Sequence, residues 1–151
     1  MSSSDEEMED SVAPTLLAAS RAFTATTMAK IADAGFAGVT PAFASFLVLL
    51  DAAGARPTAL AQRAGITKQA VSQLVRELEA RGYVEQIPDS TDTRAKLARL
   101  TEQGVALQAA CAEIKHELQS VAVEKLGTLR VARLQQDLVD LAAALDDMRM
   151  H

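Results

Sequence analysis

The sequence predicts a mainly α-helical protein with one small β-hairpin, and three features indicate this. Hydrophobic residues make up 49% of the 151 residues, and the most frequent of them, Ala and Leu, favour helix. Apolar residues recur at spacings of three and four along most of the chain. Residues 83–100 instead show strand-like alternation around a turn-rich centre. This length predicts one domain, or one domain with a helical extension.

The N-terminal part predicts an acidic tail followed by a long helix. Residues 1–10, MSSSDEEMED, are small, polar and acidic, which is typical of a disordered tail. Residues 11–34 predict a helix that ends at Gly35. One of its faces is only partly apolar, and it carries Leu16, Ser20, Phe23, Thr27 and Ile31. Such a modest stripe needs a packing partner beyond its own domain.

The next helix is predicted to begin at Thr40 and Pro41, a capping residue followed by a proline at the first helical position. This segment has apolar residues on more than one side, namely Phe43, Phe46, Leu47, Leu49 and Leu50. A helix of this kind is normally central and buried. A turn over residues 51–55 leads to the following helix.

Residues 57–81 have the spacing of a helix-turn-helix. Pro57 suits a first helical position, and Gly65 suits a left-handed helix end. Ile66 is predicted to point inward as a plug, and Thr67 is predicted to cap the second helix. The first helix has an inward face of Leu60, Ala61 and Ala64, and the second has one of Val71, Leu74, Val75 and Leu78. Gly82 is predicted to end the second helix.

The other face of the second helix is polar and carries Thr67, Lys68, Gln69, Ser72, Gln73 and Arg76. Side chains of these types hydrogen-bond base edges and phosphates in DNA. The alternative interpretation is an ordinary helical hairpin with a solvated outer face.

A hairpin follows this helix, as in a winged helix-turn-helix. Residues 83–88 predict one strand, residues 89–94 a turn, and residues 95–100 a second strand, after which Thr101 caps a new helix. Arg94 at the tip is predicted to enter a minor groove, and Asp92 to hold its guanidinium by a forked hydrogen bond. The alternative is a surface ion pair of little energetic value. Lys96 completes the predicted DNA-binding set.

Two further helices are predicted over residues 102–123 and 129–147, separated by Gly127 and Thr128. The first has a seam of Leu107, Cys111, Ile114, Leu118 and Val121, and the second has a seam of Leu134, Leu138, Leu141 and Leu145. Heptad-like seams predict that residues 102–148 form a dimerisation platform. The alternative is that the two helices pack against each other within one chain.

The net charge of −5 is unevenly distributed. Residues 55–100 hold eight basic and five acidic residues, whereas residues 1–54 hold two basic and seven acidic, and residues 101–151 hold five basic and eight acidic. The chain is therefore positive only across the helix-turn-helix and the hairpin, which is the footprint of a nucleic-acid-binding face.

The runs GITKQAVSQLVRELEARGYV and PDSTDTRAKLARLTEQG resemble the MarR (multiple-antibiotic-resistance regulator) family of bacterial transcription factors. The resemblance covers about fifty residues and implies a winged helix-turn-helix between dimerisation helices, with residues 11–34 in the dimer interface. The family usually has two adjacent arginines in the wing, where this chain has Thr93 and Arg94. It also implies a pocket for a small aromatic effector, and the candidate residues are Phe23, Met28, Phe43, Phe46, Cys111 and His116. Plain core packing is the alternative for each.

The sequence therefore predicts a homodimeric, sequence-specific DNA-binding regulator, a repressor released by a small-molecule effector. The alternative is a winged-helix protein–protein interaction module that does not read DNA. One Cys and two His provide no metal-ligand spacing, no catalytic motif is present, and no cofactor is expected. No apolar run reaches the ~18 residues of a membrane span, and no signal peptide is seen. The single Cys111 fits a reducing cytoplasm, where we expect the protein.

Overall fold

The computed structural model describes residues 11–150 and has six α-helices and one antiparallel hairpin in that range. The helices are α1 Val12–Asp33, α2 Pro41–Leu47, α3 Pro57–Ala64, α4 Lys68–Ala80, α5 Glu102–Leu126 and α6 Thr128–Arg149. The strands β1 Val84–Asp89 and β2 Asp92–Leu100 lie between α4 and α5. The predicted fold class, mainly α with a small hairpin, is confirmed. The predicted acidic tail, residues 1–10, lies outside the described residues.

Capping residues set the start of most helices, as the sequence predicts. The Thr40 hydroxyl accepts a hydrogen bond from the Phe43 N–H at 3.2 Å, and Pro41 occupies the first turn of α2. The Thr101 hydroxyl accepts from the Gly104 N–H at 3.1 Å and donates to the Gly82 carbonyl at 2.6 Å. Each contact satisfies a backbone group that the helix itself leaves unpaired.

The chain divides into two compact units, and the boundary lies inside α5, between Ala112 and Glu113. The first unit has a well-packed apolar core, whose fully buried members include Ile31, Phe43, Leu60, Val71, Tyr83 and Leu107. The Gln108 amide, on the first part of α5, donates to the carbonyls of Leu47 and Leu50. The second unit holds the rest of α5 and all of α6. The functional division into a reading domain, residues 40–101, and dimerisation helices, residues 102–148, stays a prediction.

The hairpin differs from the prediction in the length of its turn. Residues 89–94 were expected to form the turn, but β1 continues to Asp89 and β2 starts at Asp92, so only Ser90 and Thr91 lie between the strands. The register becomes irregular between Pro88 and Asp89, and the Asp89 carboxylate accepts hydrogen bonds from the Thr91 N–H and hydroxyl. This local bonding closes the turn in two residues, because it replaces the turn bonds that a longer loop would supply.

A backbone bridge joins the hairpin to the segment before α3. The N–H and carbonyl of Ala55 pair with the carbonyl and N–H of Ala98, both at 2.9 Å. The sequence prediction assigned residue 55 to a plain turn. Because of this pairing, the base of the wing is attached to the start of the helix-turn-helix.

Candidate nucleic-acid interface

Helices α3 and α4 form the predicted helix-turn-helix. Gly65 ends α3 in the left-handed conformation, with φ of 67°, which residues with a side chain rarely adopt. The Thr67 hydroxyl then caps α4 by accepting from the Ala70 N–H at 3.1 Å. Val71, Val75 and Leu78 are buried under the helix. Burial of this stripe fixes which face of α4 points outward.

One expectation for this turn is wrong: Ile66 is not an inward plug, and 39% of its surface is exposed. Leu74, expected to pack fully inward, is only half-buried. Ile66 and Leu74 line an open apolar cleft of about 420 Å³ with Phe46 and Leu49, and Arg63 stands at its edge. The backbone turn after Gly65, in which the Ile66 N–H donates to the Ala61 carbonyl at 3.2 Å, leaves the Ile66 side chain lining this cleft.

The outward face of α4 carries the predicted polar residues. Thr67, Lys68, Gln69, Gln73 and Arg76 are exposed, and Ser72 is half-buried. The Ser72 hydroxyl donates to the Lys68 carbonyl at 3.0 Å, and the Gln73 amide donates to the Glu77 carboxylate at 3.1 Å. Both bonds run along the helix surface, so these side chains remain accessible to an external partner.

The wing tip presents Asp92, Arg94 and Lys96, all exposed. The forked hydrogen bond expected between Asp92 and the Arg94 guanidinium is not formed. Asp92 instead accepts from the backbone N–H of Arg94 at 3.0 Å. A carboxylate two residues before an N–H closes this local bond readily. Asp92 therefore shapes the backbone of the tip and does not orient the Arg94 side chain.

Three of the predicted residues, Lys68, Arg94 and Lys96, line one cleft of about 320 Å³ between the wing and the start of α4. A fourth cation in the same lining, Arg56, lies outside the predicted DNA-binding set. Thr58 adds a hydroxyl to the same lining. Lys68, Arg94 and Lys96 give the cleft a positive potential that attracts an anionic ligand, and the charge of Arg56 is offset by Asp89.

Arg56 is also bonded to the wing turn. Its Nε donates to Asp89 Oδ2 at 2.6 Å, and its Nη2 donates to the Thr91 hydroxyl at 3.1 Å. Asp89 is only 5% exposed. Hydrogen bonds from the Thr91 backbone and hydroxyl, followed by the Arg56 guanidinium, hold the pKa of Asp89 down to about 2, from an ordinary value of 3.8, although burial opposes them. The carboxylate is therefore ionised throughout the physiological range.

The sequence around Arg56 contains a signal for its role. Arg56 occupies the N-cap position of α3 and makes no side-chain capping bond. Ser, Thr, Asp or Asn normally serves at that position. A long cation stands directly before Pro57 in place of a capping residue, and this departure is the local signal. Its partner, 33 residues away, could not be found from spacing.

The six candidate effector residues have different surroundings. Phe43, Phe46 and Cys111 are buried, Met28 is half-buried, and Phe23 and His116 are exposed. Of these six, only Phe46 lines the 420 Å³ cleft. The Arg81 guanidinium lies 5.1 Å from the centre of the Phe43 ring. For buried Phe43, this contact favours the alternative of core packing. The effector pocket stays a prediction.

Within residues 11–150, no group of three or more His, Cys, Asp or Glu side chains is placed to hold a metal ion. Across the same range, none of the helices has the length and apolar character needed to cross a membrane.

Comparison with known proteins identifies the segment that contains this site except for Lys96. Residues 37–95 match the model of the MarR family. That segment spans α2, the helix-turn-helix and the start of the wing through Ala95.

Solved structures share the fold over most of the chain. The Staphylococcus aureus MepR–DNA complex is 20% identical, with 89% of this chain and 98% of that chain covered and a TM-score of 0.72. Streptococcus pneumoniae FabT in complex with DNA is 16% identical, with 91% and 96% covered and a TM-score of 0.75. A mutant of MarR from E. coli, complexed with operator DNA, is 20% identical, with 86% and 92% covered and a TM-score of 0.69.

The family match agrees with the motifs quoted from the sequence, and the structural matches agree with the order of helices and strands. The members of the matched family are transcription regulators. Residues 37–95 are therefore similar to the MarR family, and the chain has the winged helix-turn-helix fold of the solved structures.

Proposed function

We propose that the chain is a homodimeric, sequence-specific DNA-binding transcription regulator of the repressor type. One observation carries the proposal. Lys68 at the start of the outward helix and Arg94 and Lys96 on the wing line one cationic cleft, with Arg56 beside them. A backbone phosphate is the anion that lies between a major groove holding a helix and the groove beside it. The solved MarR-family complexes with DNA support the same partner.

Base reading is assigned to the outward face of α4. Lys68, Gln69, Ser72 and Gln73 read base edges in the major groove, and Thr67 and Arg76 anchor phosphates. Arg94 enters the adjacent minor groove, where a narrow width strengthens the negative potential. Exposure of the long side chains in this set supports the assignment, because base contacts need accessible donors and acceptors.

Dimerisation is assigned to α1, α5 and α6. Apolar side chains of α1 and α6 are exposed in the single chain, whereas the α5 seam is buried at Leu107, Cys111 and Ile114 and exposed at Val121. Leu134, Leu138 and Leu145 on α6, and Leu17 and Phe23 on α1, are all more than two-fifths exposed. A two-fold dimer implies a pseudo-palindromic operator with half-sites about one helical turn, ~34 Å, apart. A small aromatic effector that changes the separation of the two reading helices releases both half-sites together.

The test is a salt titration of binding, measured by fluorescence anisotropy on a labelled duplex from the DNA upstream of the chain's own coding sequence. We expect log Kd to rise steeply with log salt concentration, since each phosphate contact contributes ~0.9 to the slope. Lys96→Ala should weaken binding on every sequence and lower the slope by about 1.

The matched control is Lys115→Ala, which removes one exposed cation from α5, outside the cleft. We expect it to leave the slope unchanged. A wild-type protein whose binding is weak at low salt and independent of salt would contradict the proposal and favour a protein–protein interaction module.

A further inference from the structure

One arginine, Arg56, holds the wing turn to the start of α3. It occupies the N-cap position of α3, where a capping residue would normally stand. Arg56 forms an ion pair with Asp89 and a hydrogen bond with the Thr91 hydroxyl. These contacts join positions 33 and 35 residues apart in the chain. At its own helix, Arg56 makes no capping bond with its side chain, so its contacts to the wing are not a by-product of capping.

The carboxylate of Asp89 is fully used by these contacts. Oδ2 accepts from Arg56, and Oδ1 accepts from both the N–H and the hydroxyl of Thr91, at 2.9 and 2.8 Å. Asp89 is the buried polar residue of the described core. Surface ion pairs are usually worth little, but a buried carboxylate with several donors holds a defined geometry.

This arrangement controls where the next residues of the hairpin lie. Arg94 follows Thr91 by three residues, and its N–H is bound by Asp92, so the tip from Asp89 to Arg94 is a chain of short local bonds. The backbone bridge between Ala55 and Ala98 holds the base of the wing. Arg56 holds its far end, because its partners are the residues of the turn itself.

We propose that Arg56 and Asp89 are positioning residues for DNA reading, and that their ion pair sets the place of Arg94 relative to the outward face of α4. The inference rests on the proposed function and adds two residues to it. Arg56 acts through Arg94, because the guanidinium of Arg56 is already bound to the wing. Rival assignments are a direct phosphate contact by Arg56, whose side chain is 45% exposed, and a purely structural role.

Asp89→Asn separates the direct-contact assignment from the positioning role. The substitution removes the charge that holds Arg56 and so weakens the contact between the Arg56 guanidinium and the wing, while Arg56 itself is retained. If Arg56 positions the wing, Asp89→Asn and Arg56→Gln each weaken binding about tenfold, the size of one lost contact. The double variant is then no weaker than the weaker single variant, because both remove the same pair. Arg56→Lys recovers only part of the affinity, since an ammonium cannot make the forked contact.

Arg94→Ala separates positioning from a general structural loss. We expect its effect on Kd to shrink at least threefold in the Arg56→Gln background, because a misplaced wing has little contact left to lose. Arg76→Ala, on the outward face of α4, is the matched control, and its effect should be the same in both backgrounds. Thermal unfolding followed by circular dichroism identifies variants that are folded at the assay temperature.

The proposal is overturned if Asp89→Asn binds as the wild type does while Arg56→Gln is weakened, or if the Arg94→Ala effect is unchanged by Arg56→Gln. Amide hydrogen exchange without DNA tests the wing independently. The N–H groups of Thr91 and Arg94 should exchange faster in both single variants, and unchanged exchange overturns the proposal. Wild-type protein that fails to bind any DNA while these exchange rates do increase contradicts the proposed function instead.

Discussion

The reading domain, residues 40–101 (here called the head), and the last helix, α6, differ in what their apolar residues contact. In the head, Leu60, Val71 and Leu78 are fully buried within one chain. On α6, the seam residues Leu134, Leu138 and Leu145 are 45%, 42% and 47% exposed. Both sets were identified by the same helical periodicity. Periodicity therefore finds an apolar face, but it does not tell whether that face is covered by the same chain or by another.

This difference separates stability from assembly. A head with a closed core keeps its reading surface in the absence of any partner. Dimerisation that covers an exposed leucine seam instead gains roughly 25 cal/mol of hydrophobic free energy for each Å² of apolar surface buried. We therefore expect substitutions in the head to act on the free energy of unfolding, and substitutions on the α6 seam to act on dimerisation.

The largest effect is expected from Leu138→Asp. A charge in the middle of the seam must be desolvated for two chains to pair, so the variant should be a folded monomer in sedimentation equilibrium. Operator binding should fall at least 100-fold, since one reading helix replaces two. Ala132→Asp places the same charge on the opposite side of α6 at an exposed position and should remain dimeric. A Leu138→Asp monomer that binds as tightly as the wild type would refute the dimer assignment.

The second effect compares one leucine from each region in the monomeric Leu138→Asp background. Leu78→Ala should lower the free energy of unfolding by ~2–5 kcal/mol, because it leaves a cavity in the core. Leu145→Ala should change it by only about 0.5 kcal/mol, because that side chain is already half-solvated in the single chain. Urea denaturation measures both. Equal losses would show that the α6 seam is covered within the chain.

A smaller effect is expected at the cap of the reading helix. Thr67→Ala removes the hydroxyl that accepts from the Ala70 N–H and should cost about 1 kcal/mol of stability. Ser72→Ala is the matched control, because the Ser72 hydroxyl bonds only within its own helix. We expect it to change the unfolding midpoint little. If thermal melts give the same loss for both variants, the cap contributes nothing of its own.

The smallest expected effect is on the free energy of unfolding at acidic pH. Because the folded pKa of Asp89 is about 2, below its ordinary 3.8, the folded state favours the ionised carboxylate. The resulting stability is complete above about pH 4 and is lost as the pH falls towards 2. In Asp89→Asn, this part of the pH dependence should be absent from urea midpoints measured between pH 2 and 5. If the urea midpoint of Asp89→Asn falls between pH 5 and pH 2 as it does in the wild type, the loss of stability in acid comes from other carboxylates.

Local signals in the sequence predicted local structure well. Thr40, Gly65, Thr67 and Thr101 each cap or end a helix where expected, because each acts on backbone groups within a few residues. The fold class and the outward polar face of α4 followed from the same short-range patterns.

The predictions that were wrong depend on contacts that residue spacing in the sequence does not reveal. Ile66 lines an open cleft at the surface and not the core. The wing turn is short because Asp89 closes it, and Asp92 bonds a backbone N–H instead of the Arg94 guanidinium. The contact between Arg56 and Asp89 spans 33 residues, so no local rule could pair them.

The most direct test of DNA reading by a two-fold pair is selection from a random duplex pool with the purified full chain, followed by sequencing of the bound fragments. We expect enrichment of a pseudo-palindrome with half-sites about one helical turn, ~34 Å, apart. The preference within each half-site should relax at one base pair in Gln69→Ala. A pool that shows no enriched sequence, or a single unpaired half-site, would contradict the account.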